Sequence, residues 1–321
     1  MRLNARIALA ALVLLAFSCA KEIKVGPEEA RTIAKEAYIY GLPIVENYKV
    51  VYAYSIYKDS NVFKAPLNHL AIVMPDTTQP DSLQGGFVKP PYALSWMDVR
   101  KEPVVITVPA TTDSLAYIVQ LVDFYTQNFD DISVPRSGEK ASFMVVPGPW
   151  SGETPDGIAR VIQCETLLAL AIVRPWPSMD RAATEKLLDG FDVETLSEFQ
   201  GKPSRQADAI IFPPYSKETA NSAGFFQYLN FALQFCPVHP SEIQERARFA
   251  KLGIAAGKSF NVATRDPAML QAINQGIAEA KSAIEQAPTD TARYGTRAEL
   301  KNDFLARAVA AKTHLYGPPQ P

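Results

Sequence analysis

Apolar and polar positions change their spacing several times along the chain. Residues 7–17 form an unbroken apolar run. From Pro27 the apolar positions Ala30, Ile33, Ala34, Ala37 and Tyr38 recur at helical spacing, behind a proline and two acids, Glu28 and Glu29, that suit a helix N-terminus. Gly41-Leu42-Pro43 is expected to break or kink this helix before a second half, Ile44 to Tyr57. Four tyrosines in that half, Tyr48, Tyr52, Tyr54 and Tyr57, read as packing surface. Between His69 and Arg174 the pattern shortens to runs bounded by Pro, Gly and Asp: 69–74, 93–99, 104–108, 116–122, 142–146, 159–164 and 167–173. No long helical pattern separates them, which predicts antiparallel sheets in a sandwich or barrel and disfavours a parallel βαβ architecture.

The 3.6-residue period returns at Asp180. Phe225, Leu229 and Ala232 make one stripe, and Ile243, Ala247, Ala250 and Ile254 another between Pro240 and Gly257. Asp266-Pro267 caps a seam of Leu270, Ile273, Ile277, Ala280 and Ile284. Thr296 and Glu299 form a capping-box pattern ahead of Leu300, Phe304, Ala308 and Ala311, which predicts one helix across these positions. The fold expected is α+β: a kinked helix, then an antiparallel β-sandwich or barrel-like core, then a helical C-terminal half. Residues 28–178 and 179–314 are read as parts of one unit, followed by a tail at 315–321. No internal repeat is visible.

The apolar run at 7–17 follows Arg2 and Arg6 and precedes Ser18-Cys19-Ala20-Lys21, the plan of a signal peptide over residues 1–18. It is too short for a bilayer, which needs about 20 apolar residues. Leu15-Ala16-Phe17-Ser18-Cys19 is similar to the bacterial lipobox, with Ala16 where leucine is usual; Ala16 and Ser18 also satisfy an ordinary signal peptidase site. Both readings cut before Cys19. Lipidation of Cys19 is preferred, because a lone cysteine at a secreted N-terminus otherwise has no role. More than one acyl chain anchors a protein without a transmembrane helix. The expected location is the cell envelope, lipid-anchored and facing the periplasm, with residues 19–27 as tether. Ala20 in place of aspartate points to the outer membrane of a Gram-negative cell; the alternative is a soluble periplasmic or secreted protein.

Composition narrows the chemistry. With 47% hydrophobic and 21% charged residues, 32 basic against 34 acidic, the 321-residue chain is globular and carries no electrostatic footprint for nucleic acid. Cys164 and Cys236 read as buried thiols, although an oxidising compartment leaves a disulfide open. His69, His239 and His314 are isolated, and no metal or cofactor motif is present, nor a nucleophile elbow. The densest polar and aromatic material lies at Tyr92–Arg100 and Gln120–Asp131. Asp98, Asp123 and Tyr125 are the acid–base or cation-binding candidates; Tyr92, Trp96, Arg100, Gln120 and Asn128 are the ligand-binding candidates. Strict alternation would put Gln120 and Asp123 on opposite faces, so capped strand ends around core aromatics are the competing reading. Trp150, Arg174 and Trp176 are further pocket candidates for which structural use is the simpler role.

Several stretches together resemble a bacterial family, domain of unknown function 1254. They include Glu36–Pro43, Trp96-Met-Asp98 with Lys101–Pro109, Gln120–Asp123 running to Asn128-Phe129, Trp150–Glu153, Glu165-Thr166, Leu196–Phe199, Phe225–Pro237 and Arg248–Lys258. The resemblance implies a β-rich core with helices, often in exported or lipid-anchored proteins, and no agreed activity. The chain departs from the family pattern at Lys89-Pro90 and at Val134–Lys140, which would alter a ligand site located there. Relatives commonly carry a second domain, numbered 1214, after the first, so a partner domain on a separate chain is one expectation. The function expected is therefore ligand or protein binding at the cell envelope. Alternatives are a hydrolase or lyase on a polar envelope or extracellular substrate, and an assembly subunit that docks a second domain.

Overall fold

The computed structural model describes residues 25–74, 91–111, 117–133, 138–175, 180–205 and 207–313. The signal region, Cys19, Trp176, His314, the tail and most of the two family departures lie outside these residues.

Helix α1 (Pro27–Val51) starts at the proline and the acids that mark it in sequence. It continues through Gly41 and Pro43 as one helix, so the expected break is absent. A proline inside a helix costs about 3 kcal/mol, but fifteen of the 25 residues of α1 are buried. At about 1.5–3 kcal/mol for each large apolar side chain buried, that packing outweighs the lost hydrogen bond. Gly41 serves contact rather than rupture: a Cβ there would lie 2.6 Å from the Leu229 side chain. A π-helical turn (Tyr52–Ile56) follows. Tyr48 and Tyr54 are fully buried, whereas Tyr57 is 46% exposed.

Nine strands form two sheets among the described residues. The first has the order β1 (Ala71–Val73), β2 (Tyr92–Asp98), β8 (Leu168–Pro175), β4 (Tyr117–Asp123), β5 (Asn128–Ser133). The second has the order β7 (Ile158–Cys164), β6 (Ala141–Pro147), β3 (Val104–Val108), β9 (Asp192–Thr195). Each strand-like run of the sequence contains a strand. β5 and β9 are additional, because Asn128–Ser133 is polar and Asp192–Thr195 is short, and neither carries an apolar run. All ladders are antiparallel except β6–β7, which is parallel and joined by a loop rather than a helix.

The layers follow from alternation. Met97, Val119, Leu121 and Ala171 of the first sheet share a cluster with Val104, Ile106, Val145 and Ile162 of the second. The opposite face of the first sheet, with Leu94, Trp96, Leu170 and Ile172, packs on α1 and the C-terminal helices. The helices after β8 are α2 (Arg181–Leu188), α3 (Leu196–Phe199), α4 (Lys217–Ala220), α5 (Phe225–Ala232), α6 (Ile243–Ala250), α7 (Pro267–Gln286), α8 (Arg297–Leu300) and α9 (Phe304–Thr313). Leu187 and Leu188 of α2 join the cluster between the sheets instead, and Leu196 and Phe199 of α3 pack on Val105 and Met144.

Two helical expectations need correction. In α6 the buried residues are Arg246 and Phe249, while Ile243 is 57% exposed and Ala247 and Ala250 face solvent. The apolar stripe gave way because Arg246 enters a buried polar cluster. The capping box of Thr296 and Glu299 is present, yet α8 ends after one turn. Lys301 and Asn302 adopt left-handed conformations and the chain restarts as α9, so the single predicted helix is two.

Candidate functional site

The sequence candidates fall in three places. Tyr92 and Trp96 are buried on the helix-facing side of β2, where Trp96 meets Phe124 edge to face at 5.8 Å. Gln120 donates to Asn128 at 2.7 Å and accepts from Arg174 at 2.9 Å, which joins β4, β5 and β8 across the sheet. Burial pushes the Arg174 guanidinium down to about 10.

Asp98 and Arg100 form a second place. The Arg100 guanidinium binds the Asp98 carboxylate through two nitrogens at 2.7–3.0 Å. They line a groove of about 470 Å³ with Glu102, Glu198 and Arg205. The Glu102 carboxylate accepts the Ser197 and Arg205 backbone N–H groups at 2.9 and 2.6 Å. These polar groups satisfy one another and tether the chain after α3.

The third place holds Asp123 and Tyr125, in the tight turn between β4 and β5. Asp123 Oδ1 accepts the N–H groups of Tyr125 and Gln127 at 2.9 and 2.8 Å. Asn47 of α1 donates to the carbonyls of Asp123 and Phe124. Burial pushes the Asp123 carboxyl up to about 7, although the Gln127 N–H, Arg307 and Arg297 pull it down. Behind the turn lies an ion cluster that the sequence did not reveal. Glu242, fully buried, accepts from Tyr40 Oη at 2.7 Å and from Arg297 Nη1 at 2.5 Å, with Arg307 Nη1 at 3.7 Å. Arg246 donates to Tyr40 Oη at 3.1 Å, and Arg297 also bonds Glu165 at 2.6 Å. The guanidinium groups of Arg297 and Arg307 stand 5.0 and 5.6 Å from the centre of the Tyr125 ring. This cluster clamps α1, α6, α8 and α9 to the β4–β5 turn. Removing one partner from such a set costs about 3–5 kcal/mol, and none of the cavities described in this section is lined by Glu242, Arg297 or Arg307.

A cleft with a different character opens between α1, α4, α7 and α9. Two adjoining cavities, of about 480 and 440 Å³, share Tyr38, Leu42, Glu46 and Asn221. Leu42, Val45, Ile284, Ala311 and Phe225 make the apolar floor, and Lys281, Tyr215 and Asn221 supply polar groups. Volume, apolar floor and a few converging polar groups are the features of a small-molecule site. Tyr38 is only 5% exposed, yet its hydroxyl makes no hydrogen bond among the described residues. Burial, with Glu46 and Glu285 nearby, raises its pKa. The Lys281 ammonium lies 5.7 Å from the centre of the Tyr38 ring and donates to the Asn221 carbonyl at 3.0 Å. Two carboxylates at the cleft already have cations: Glu46 pairs with Lys49, and Glu285 with Lys312 at 2.9 Å. Lys281 has no carboxylate within 4 Å among the described residues, and burial lowers its pKa. The helical seam Ile273–Ile284 was legible in sequence; Tyr38 and Lys281 were not, since each sits at an ordinary helical position.

Cys164 and Cys236 are buried and unpaired. Burial pushes the Cys164 thiol up to about 12 and Cys236 well above its usual range, so both are poor nucleophiles. His69 is exposed and His239 half-buried, and each bonds atoms two residues away in its own chain segment. Among the described residues no three His, Cys, Asp or Glu side chains converge on a metal position, and no helix is long and apolar enough to cross a membrane.

No curated protein matches the chain. Among solved structures, the crystal structure of the VPA0106 protein from Vibrio parahaemolyticus is similar, with a TM-score of 0.68 and 23% identity. The likeness covers 88% of this chain and 66% of that one, and it bears on fold alone. The motifs at Glu36–Pro43 and beyond Thr195 remain a resemblance, whereas residues 72–195 match the model of the family described as a protein of unknown function, DUF1254.

Proposed function

We propose that this chain is an exported, lipid-anchored protein of the cell envelope that binds a small molecule in the Tyr38 cleft. The basic, apolar and small-residue succession ending at Cys19 supports export and anchoring. Seven residues lie between Cys19 and Pro27, eight Cα steps with a reach of at most about 28 Å, so an anchored body stands close to the membrane surface. The observation that carries ligand binding is the cleft itself: two adjoining cavities of about 480 and 440 Å³ over an apolar floor, with a Tyr38 hydroxyl on their shared wall that makes no protein hydrogen bond among the described residues. That hydroxyl is open to the cleft and free to hydrogen-bond a bound molecule there.

The hydrolase or lyase reading has less support. Asp123 has the raised pKa that acid–base catalysis uses, but its oxygen is held by its own turn and it lines none of the cavities described. The assembly reading calls for a large apolar patch. On the helical half the large apolar side chains exposed among the described residues are Ile211, Val238 and Ile243.

Nile red, a neutral apolar fluorophore, tests the cleft. It should brighten and saturate on the mature protein, and Asn221→Trp, at a rim position shared by both cavities, should weaken it about tenfold without moving the melting temperature by more than a few degrees. Equal binding by the variant would remove the cleft from the account.

A further inference from the structure

Resting on the cleft as a ligand site, we infer that its ligand is an amphipathic anion, a small molecule with a carboxylate head and an apolar body, and that Lys281 is the cation that receives the head.

The charges around the cleft are unevenly matched. Glu46 and Glu285 face it, but each is already paired, with Lys49 and Lys312. Two further lysines line the cavities: Lys217 is exposed at the edge, whereas Lys281 is half-buried, its ammonium beside the Asn221 carbonyl and the Tyr38 ring with no carboxylate within 4 Å among the described residues, Glu285 lying farther off. A partly desolvated ammonium in this setting gains most from an anion, because a charge-assisted hydrogen bond is about twice as strong as a neutral one. Tyr38 lies on the same wall, and its hydroxyl can donate to that anion's second oxygen. Leu42, Ile284 and Ala311 offer an apolar body contact beside them, while the other polar lining residues, Glu46, Glu285 and Lys312, are engaged in ion pairs and Asn221 accepts from Lys281. A neutral alcohol would match the floor without using Lys281. A cationic amphiphile would be repelled by it.

The three charge classes separate on one tail length. Octanoate, octanol and octylamine are titrated into the mature protein by calorimetry, with Lys281→Met, Lys281→Arg and Tyr38→Phe as variants whose melting is checked first. Octanoate should bind at least tenfold more tightly than octanol, and octylamine least. Lys281→Met should remove the octanoate preference while octanol stays within about twofold; Lys281→Arg should restore it, and Tyr38→Phe should weaken octanoate a few-fold. Octanol binding as well as octanoate, or an octanoate preference that survives Lys281→Met, overturns the anion assignment and leaves the cleft itself standing. Binding by none of the three, with Nile red still displaced from its site by Asn221→Trp, likewise overturns the anion assignment.

Discussion

Asp123 shows how environment decides the chemistry of a single carboxyl. The sequence placed it in a dense polar segment and left acid–base work and turn capping open. The structure uses it to close a five-residue turn, in a setting where burial raises its pKa to about 7. The sign of the linkage follows directly. The unfolded chain releases this proton near 4 and the folded chain near 7, so the folded state holds an extra proton between those values and its stability falls as pH rises through them. Asn in place of Asp keeps an acceptor for the Tyr125 and Gln127 N–H groups and has no proton to hold. Relative to wild type, Asp123→Asn should therefore gain stability as pH rises from about 4 to about 7, by at most about 4 kcal/mol, and change no further above that range. Urea denaturation at successive pH values checks this; parallel curves for the two proteins would refute it. Glu242 and Arg246 teach a related lesson. In sequence they look like the solvent side of an amphipathic helix, and only the meeting of α1, α6, α8 and α9 turns them inward, information that a local pattern does not contain.

At the scale of elements, α1 is the organising piece. It packs against α7, α9 and α5 and supplies Tyr38 and Leu42 to the cleft, Tyr40 to the ion cluster and Asn47 to the β4–β5 turn. The contact with α7 depends on Gly276, where a Cβ would lie 2.2 Å from the Arg31 carbonyl oxygen and 3.0 Å from the Lys35 nitrogen. Two effects oppose each other at this position. Helix propensity favours alanine over glycine by about 1 kcal/mol, whereas forcing extra volume into a packed contact costs about 1–3 kcal/mol. Because the obstructing atoms are backbone, the second term should prevail. Gly276→Ala is predicted to lower the unfolding free energy by about 1–2 kcal/mol, and a gain in stability would show that the helices separate freely. Element boundaries were legible where chemistry marks them: Pro27, the Asp180 cap, Asp266-Pro267 and the Thr296 capping box all mark helix starts. The break allowed for at Pro43 does not occur, because burial overrides the breaker, and the single helix expected after Thr296 is divided where the backbone turns left-handed without a glycine, at Lys301 and Asn302.

For the whole molecule, the α+β class and most of the strands follow from spacing alone, because alternation and short apolar runs are local properties. The pairing order of the two sheets, the parallel β6–β7 ladder and the cleft between helices distant in sequence are properties of the assembled chain. That division explains why the sequence candidates scatter. Asp98, Asp123 and Gln120 lie on strands whose ends are held by their own polar partners, whereas the cleft draws on helical positions that read individually as ordinary. The proposed function depends on that cleft being a place where a small molecule sits. Methyl NMR of the mature protein during titration with octanoate, and separately with octanol and with Nile red, examines it most directly. The Leu42, Ile284 and Ala311 methyls should shift and saturate together with at least one of the three, while those of Val145 and Ile162, in the cluster between the sheets, stay in place. Cleft methyls that move with neither octanoate nor octanol nor Nile red, or shifts as large between the sheets as in the cleft, would contradict it.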